Sequence, residues 1–155
     1  MHPRSLILIA MILLLGAVTG YTSDQPADAK AVDAIAAADT VVTAYYLHGH
    51  RRCATCEKLE AYTAEAVKTG FSEQIGDSSV VWRVLNFEEE PNEHLAEHYE
   101  LITQSVILSK TVDGEEIVWK NLDKIWQLVG DKEKYLEYIK AEVTAFVAPP
   151  SEEAD

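Results

Sequence analysis

The chain has 155 residues, with 26 acidic against 13 basic side chains and a formal charge of −13. That excess excludes binding to nucleic acid or anionic lipid through general charge, since both need a basic face. One domain is expected at this length, and 48% hydrophobic with 25% charged residues excludes wholesale disorder. Two cysteines cannot staple a disulfide-rich scaffold, but a pair separated by two residues can form one reactive centre.

Leu6 to Val18 is an uncharged, almost wholly aliphatic run preceded by Arg4 and followed by Gly20. Its 13 residues suit the apolar region of an export signal and fall short of the roughly 18 needed for a membrane span. Residues 1–20 are therefore expected to be a signal peptide cut after Gly20, or an N-terminal anchor if uncleaved. In the second case residues 6–18 are the chain's contact with a membrane. Export implies a periplasmic or other extracytoplasmic location. Residues 21–38, rich in Ala and Asp, read as a linker or short helix. Residues 39–147 are the expected domain, and 148–155 an acidic tail.

Val41 to Leu47 is β-branched, aromatic and uncharged, the pattern of a strand buried on both faces. His48 to Arg52 is a loop. From Cys53 the residues Cys56, Leu59, Glu60, Thr63, Ala66 and Val67 recur at helical spacing, ending at Gly70 or continuing to Ile75 with a kink. Ser79 to Phe87 returns as a strand, and strand, helix, strand implies a right-handed crossover with a parallel pair. Pro91 is expected to open a short helix carrying Leu95, Ala96 and Tyr99. Ser105 to Ser109 is a third strand, Asp113-Gly114 a hairpin turn, and Glu116 to Trp119 a fourth strand, antiparallel to the third. Asp123 to Val129 and Lys132 to Phe146 are closing helices, the second with Tyr135, Leu136, Ile139, Val143 and Phe146 on one face.

The segment Arg51-Arg52-Cys53-Ala54-Thr55-Cys56-Glu57-Lys58 puts the two thiols where a buried strand gives way to a helix. Unpaired N–H groups and the helix dipole stabilise a thiolate there, so Cys53 is expected to be the attacking sulfur. Arg51 and Arg52 are expected to add positive charge beside it. Cys56, one turn further in, can then resolve a mixed disulfide formed at Cys53. Thr55, between the thiols, influences the reduction potential. The partner is a protein thiol or disulfide, or a component of a redox chain, and no cofactor beyond the dithiol is required.

This arrangement resembles the thioredoxin-like superfamily over about 105 residues, and Tyr99 to Leu108 is also similar to the family's segment leading into its third core strand. The resemblance implies an α/β fold, a thioredoxin-like three-layer sandwich with a mixed four-stranded sheet flanked by helices. More narrowly, Arg52 to Thr63 and Trp119 to Trp126 resemble a group of small exported thioredoxin-like proteins labelled nitrophenyl-compound nitroreductase subunits. No Gly-rich phosphate loop accompanies these matches. Two departures stand out against thioredoxin itself. Ser105 occupies the position of the family's cis-proline and is expected to follow a trans bond. No Asp or Glu lies between Asp39 and Cys53, so deprotonation of Cys56 must rely on Glu57, a histidine or water.

Other readings of the same residues remain open at this point. His48, His50, Cys53 and Cys56 fall within nine residues and could bind Cu(I) or Zn(II), making the chain a copper or zinc carrier. A disulfide that only stiffens a loop would make it a non-catalytic thioredoxin-fold subunit of a redox complex. His94 and His98, surrounded by glutamates, read as a solvated face, as does Glu88-Glu89-Glu90. Tyr45, Tyr46, Trp82 and Trp119 read as core or rim packing, and Trp126 as a partner contact.

Overall fold

The computed structural model describes residues 39–149. The signal or anchor expected over residues 1–20, the segment 21–38 and the tail from residue 150 lie outside the described residues. The element order is β1 (Thr40–His48), α1 (Ala54–Gly70), α2 (Ser72–Gly76), β2 (Val80–Asn86), α3 (His94–His98), β3 (Ser105–Val112), β4 (Glu115–Asn121), α4 (Ile125–Leu128) and α5 (Lys132–Val147). Among them no helix is long and apolar enough to cross a membrane.

The strands form one sheet in the order β2-β1-β3-β4. β1 pairs parallel with β2, as the crossover through α1 requires, and antiparallel with β3, which pairs antiparallel with β4. Alternation along β1 sends Val42, Ala44 and Tyr46 to one face and Tyr45 and Leu47 to the other. The first face meets Leu59, Ala66 and Val67 of α1 and Tyr135, Ile139 and Val143 of α5 in the main core. The second packs Leu47, Ile107 and Tyr99 with Leu85, Leu95 and Trp119 beneath α3. Helices on both faces of a mixed four-stranded sheet with this strand order constitute the thioredoxin-like sandwich.

One boundary left open is settled and two differ from expectation. The helix beginning after Cys53 does stop at Gly70, because Phe71 leaves helical geometry (φ −134°) and turns into the core before α2 starts. The helix expected from Pro91 starts only at His94, since turns occupy residues 87–93 first. The Asp123–Val129 helix shrinks to the single turn of α4. Between β3 and β4, Asp113 (φ 51°) and Gly114 (φ 84°) make the tight left-handed turn that their sequence predicts.

A bulge in β4 builds the polar contact that holds α3 down. The register passes from Lys110↔Val118 to Thr111↔Glu116, leaving Ile117 over. The slip brings Glu116 onto the same face as Trp119. There its carboxylate accepts from Ser109 Oγ (2.5 Å) and Tyr99 Oη (2.8 Å) and lies 2.7 Å from His98 Nε2. Partial burial pushes the Glu116 carboxyl upward, but the hydrogen bonds from Ser109, His98 and Tyr99 outweigh it and hold the group below the ordinary glutamate value. A depressed folded-state pKa contributes stability in full above the unfolded value, and that contribution is lost as pH falls through the folded one. Glu116→Gln is therefore expected to lower the urea midpoint at about pH 7 and to lose less on acidification to about pH 3 than the wild type does. Parallel pH curves for the two proteins would contradict this account of the clasp.

Candidate functional site

The parallel register of β1 with β2 ends at His48↔Asn86, so the loop after β1 and the loop after β2 leave the sheet side by side. Cys53 ends the first of these loops as the N-cap of α1, with extended backbone (φ −113°, ψ 162°). Its Sγ accepts the backbone N–H of Cys56 at 3.1 Å. A sulfur thus takes the place that a Ser or Asp oxygen ordinarily fills at a helix start. The two cysteines are joined in a disulfide, Cys53 exposed and Cys56 only 3% exposed. Beneath them Tyr46 Oη donates to the Cys56 carbonyl at 2.8 Å. Burial raises the Tyr46 ionisation to about 12, against the pull of Arg52, so this hydroxyl remains a donor.

Three braces hold the loop from Gly49 to Arg52. Glu88 Oε2 accepts the backbone N–H of His50 at 2.7 Å and faces His50 Nδ1 at 2.5 Å. Its carboxyl is held below the ordinary range, first by the backbone N–H of His50 and then by the imidazole. Arg52 pairs with Glu60 on α1, lies over the Tyr46 ring at 5.8 Å and donates to His48 Nε2 at 3.2 Å. Gln104, just before β3, donates from Nε2 to the Arg51 carbonyl at 3.0 Å. The loop is therefore fixed from the β2 side, from α1 and from the segment that leads into β3.

Arg52, expected to add positive charge beside Cys53, is ion-paired with Glu60. Glu60 lies four residues beyond Cys56 and so one turn along the same side of α1, where it takes the guanidinium. Arg51 is exposed and has no ion pair among the described residues. Thr55 is exposed in the first turn of α1. Ser105 opens β3 opposite Leu47, is buried, and donates its hydroxyl to the Thr103 carbonyl at 3.1 Å. The Gln104–Ser105 bond is trans.

The four candidate metal ligands do not converge. A guanidinium only donates, so His48 Nε2 must accept from Arg52. The Nδ1 of His48, 2.8 Å from the Gly49 carbonyl, is then the protonated nitrogen. Both His48 nitrogens are thereby committed, and His50 Nδ1 belongs to Glu88. Among the described residues no group of three or more His, Cys, Asp or Glu side chains is placed to hold a metal ion. His94 Nδ1 faces the Pro91 carbonyl while His98 faces Glu116, so that pair does not chelate either.

Glu88 is exposed, as a solvated loop implies, but its role as a brace was not legible in sequence. Within Glu88-Glu89-Glu90 it looked like one of three solvated carboxylates. Its signal lay in the topology: two residues past a strand parallel to β1, a side chain must adjoin the loop leaving β1. Gln104 and Tyr46 carried no comparable signal.

Fold and site together define a thioredoxin-fold chain with a disulfide centre at a helix N-terminus. No protein-family model and no curated protein matches the sequence. Among solved structures it is similar to the oxidised thioredoxin from Plasmodium falciparum, at 16% identity and a TM-score of 0.34, over 70% of this chain and 91% of that one. The fold assignment rests on the strand order rather than on this likeness.

The Glu88 brace can be tested through Gly49. A Cβ added there would meet Glu88 Oε1 at 2.7 Å and Cδ at 2.9 Å, so alanine must displace the carboxylate from His50. Gly49→Ala and Glu88→Ala should each destabilise the fold, and the double variant should be no less stable than the worse single one in urea unfolding. Additive losses would show that the two sites act separately.

Proposed function

We propose that the chain is a thiol–disulfide oxidoreductase in which Cys53 attacks and Cys56 resolves. The supporting observation is the asymmetry of the pair. Cys53 is exposed at the N-cap with a backbone N–H directed at its Sγ, and Cys56 is covered one turn inside the helix. Once reduced, the Cys53 thiolate keeps that N–H and faces the positive end of a helix of 17 residues. It displaces one sulfur of a partner's disulfide, forming a mixed disulfide. Cys56 then attacks Cys53 Sγ, releasing the second partner sulfur and restoring the intramolecular bond. Two electrons pass to the partner, and the reverse sequence oxidises a partner dithiol.

The redox-active disulfide is the only cofactor in this reading, and the partner is a polypeptide thiol or disulfide, alone or in a redox chain. The proposed location is extracytoplasmic, reached through residues 1–20, with a membrane anchor if they are retained. The nitroreductase-subunit resemblance supplies no reacting residue here and would at most name a complex served by the dithiol. A copper or zinc carrier is disfavoured, because among the described residues no group of three or more His, Cys, Asp or Glu side chains is placed to hold a metal ion.

The test uses the two alanine variants. Cys53→Ala should abolish reduction of a disulfide-bonded peptide, whereas Cys56→Ala should accumulate the mixed disulfide with that peptide, visible by mass spectrometry. Equal loss without adducts contradicts the division of labour. A reduction potential below about −300 mV, typical of structural bonds, contradicts catalytic exchange altogether.

A further inference from the structure

Exchange at this site moves protons as well as electrons. The partner's departing sulfur leaves as a thiolate and must be protonated if it is a poor leaving group. Cys56, in turn, must lose its proton before it can attack. The strand preceding the disulfide offers no carboxylate for this work, which leaves the groups around the loop. Tyr46 Oη is committed to the Cys56 carbonyl, and burial keeps its proton on. Glu60 is paired with Arg52. His48 has both ring nitrogens occupied, by the Gly49 carbonyl and the Arg52 guanidinium. Glu57, on the first turn of α1, is exposed and has no partner that would orient it among the described residues.

His50 differs from all of these. Its side chain is 60% exposed, and it stands three residues before Cys53, within about 11 Å of extended chain. Glu88 accepts both its backbone N–H and its Nδ1–H, which fixes the ring and leaves Nε2 as the nitrogen open to exchange a proton. Nε2 has no hydrogen bond among the described residues. A carboxylate that orients one imidazole nitrogen so that the other can carry a proton is the arrangement general acid–base catalysis requires. Glu88 from the loop after β2 faces it, and His48, Arg51 and Arg52 flank it along its own stretch of chain.

We propose that His50, oriented by Glu88, is the proton carrier of the dithiol site. This deepens the exchange reading and rests on it. In the reductive direction the Cys53 thiolate bonds to one partner sulfur and the S–S bond breaks. The departing sulfur takes the proton from protonated His50 Nε2. Neutral His50 then accepts the Cys56 proton, directly or through one water, and the Cys56 thiolate attacks Cys53 Sγ. The second partner thiolate departs and draws its proton from His50 or solvent. The two thiols of the site are oxidised to a disulfide and the partner disulfide is reduced to two thiols.

The experiment compares two disulfides with the full-length reduced protein. One is an alkyl cystine peptide, whose leaving thiol needs a proton. The other is an aromatic disulfide, whose thiolate leaves unprotonated. With release of the first partner thiol read in a single turnover, before Cys56 resolves, His50→Gln is expected to slow the alkyl disulfide at least about tenfold while leaving the aromatic one within about twofold. Glu88→Gln should reproduce the pattern more weakly, and free imidazole should restore part of the rate to a His50→Ala variant. Equal slowing on both disulfides would mean that His50 only shapes the loop, and an unchanged alkyl rate would remove it from the proton path. Either result overturns the proposal while leaving exchange intact. A wild-type protein that reduces neither disulfide would instead bring down the exchange reading itself.

Discussion

The site depends on one hydrogen bond, from the backbone N–H of Cys56 to Cys53 Sγ across the first turn of α1. The first N–H groups of a helix have no carbonyl partners within it, and something must satisfy them. Here a cysteine sulfur serves as the cap, so the atom that starts the helix is also the one proposed to exchange. Folding and chemistry are coupled at that point. The dipole of α1 favours negative charge on Cys53, and the same geometry buries Cys56 in bonding distance of Cys53.

A cap of this kind needs a loop that does not wander, and the sheet supplies one. β1 is flanked by β2 and β3, so the chain leaving β1 emerges between the loops belonging to both neighbours. Glu88 reaches it from the β2 side, Gln104 from the β3 side, and Glu60 from α1 through Arg52. Much of the local polar chemistry goes into fixing the backbone. The guanidinium of Arg52 is neutralised by Glu60 and spread over Tyr46 and His48. In the proposed exchange reading, the N-cap geometry and the helix dipole, more than adjacent basic side chains, would stabilise the thiolate. On the far face, the Glu116 clasp secures Tyr99 just ahead of the segment carrying Gln104 and Ser105.

The layered α/β fold was legible because its main elements are marked by strong local physics. The uncharged run Val41–Leu47 could only be a central strand, Asp113-Gly114 is a hairpin turn by its backbone preferences, and Tyr135, Ile139 and Val143 recur at helical spacing. The shorter elements were less legible. α3 and α4, with five and four residues, are set by tertiary packing, and no periodic pattern can develop over so few positions. The cysteine pair announced itself by spacing and by its place at a strand-to-helix junction. Its supporting residues did not, because Glu88 and Gln104 act across 38 and 53 residues of chain. Arg52 shows the opposite failure: its charge was plain in sequence, and the partner that takes it up was not weighed.

The account stands or falls on whether the Cys53 sulfur, once the disulfide is reduced, is more acidic than an ordinary thiol. The direct measurement is the rate of alkylation of reduced Cys53 by iodoacetamide as a function of pH, with Cys56 replaced by Ser so that one thiol is read. A helix-capping sulfur should give a midpoint clearly below the value of about 8.5 for a free cysteine. A midpoint at or above that value would mean that the N-cap position confers no reactivity, and that the disulfide is only a structural link.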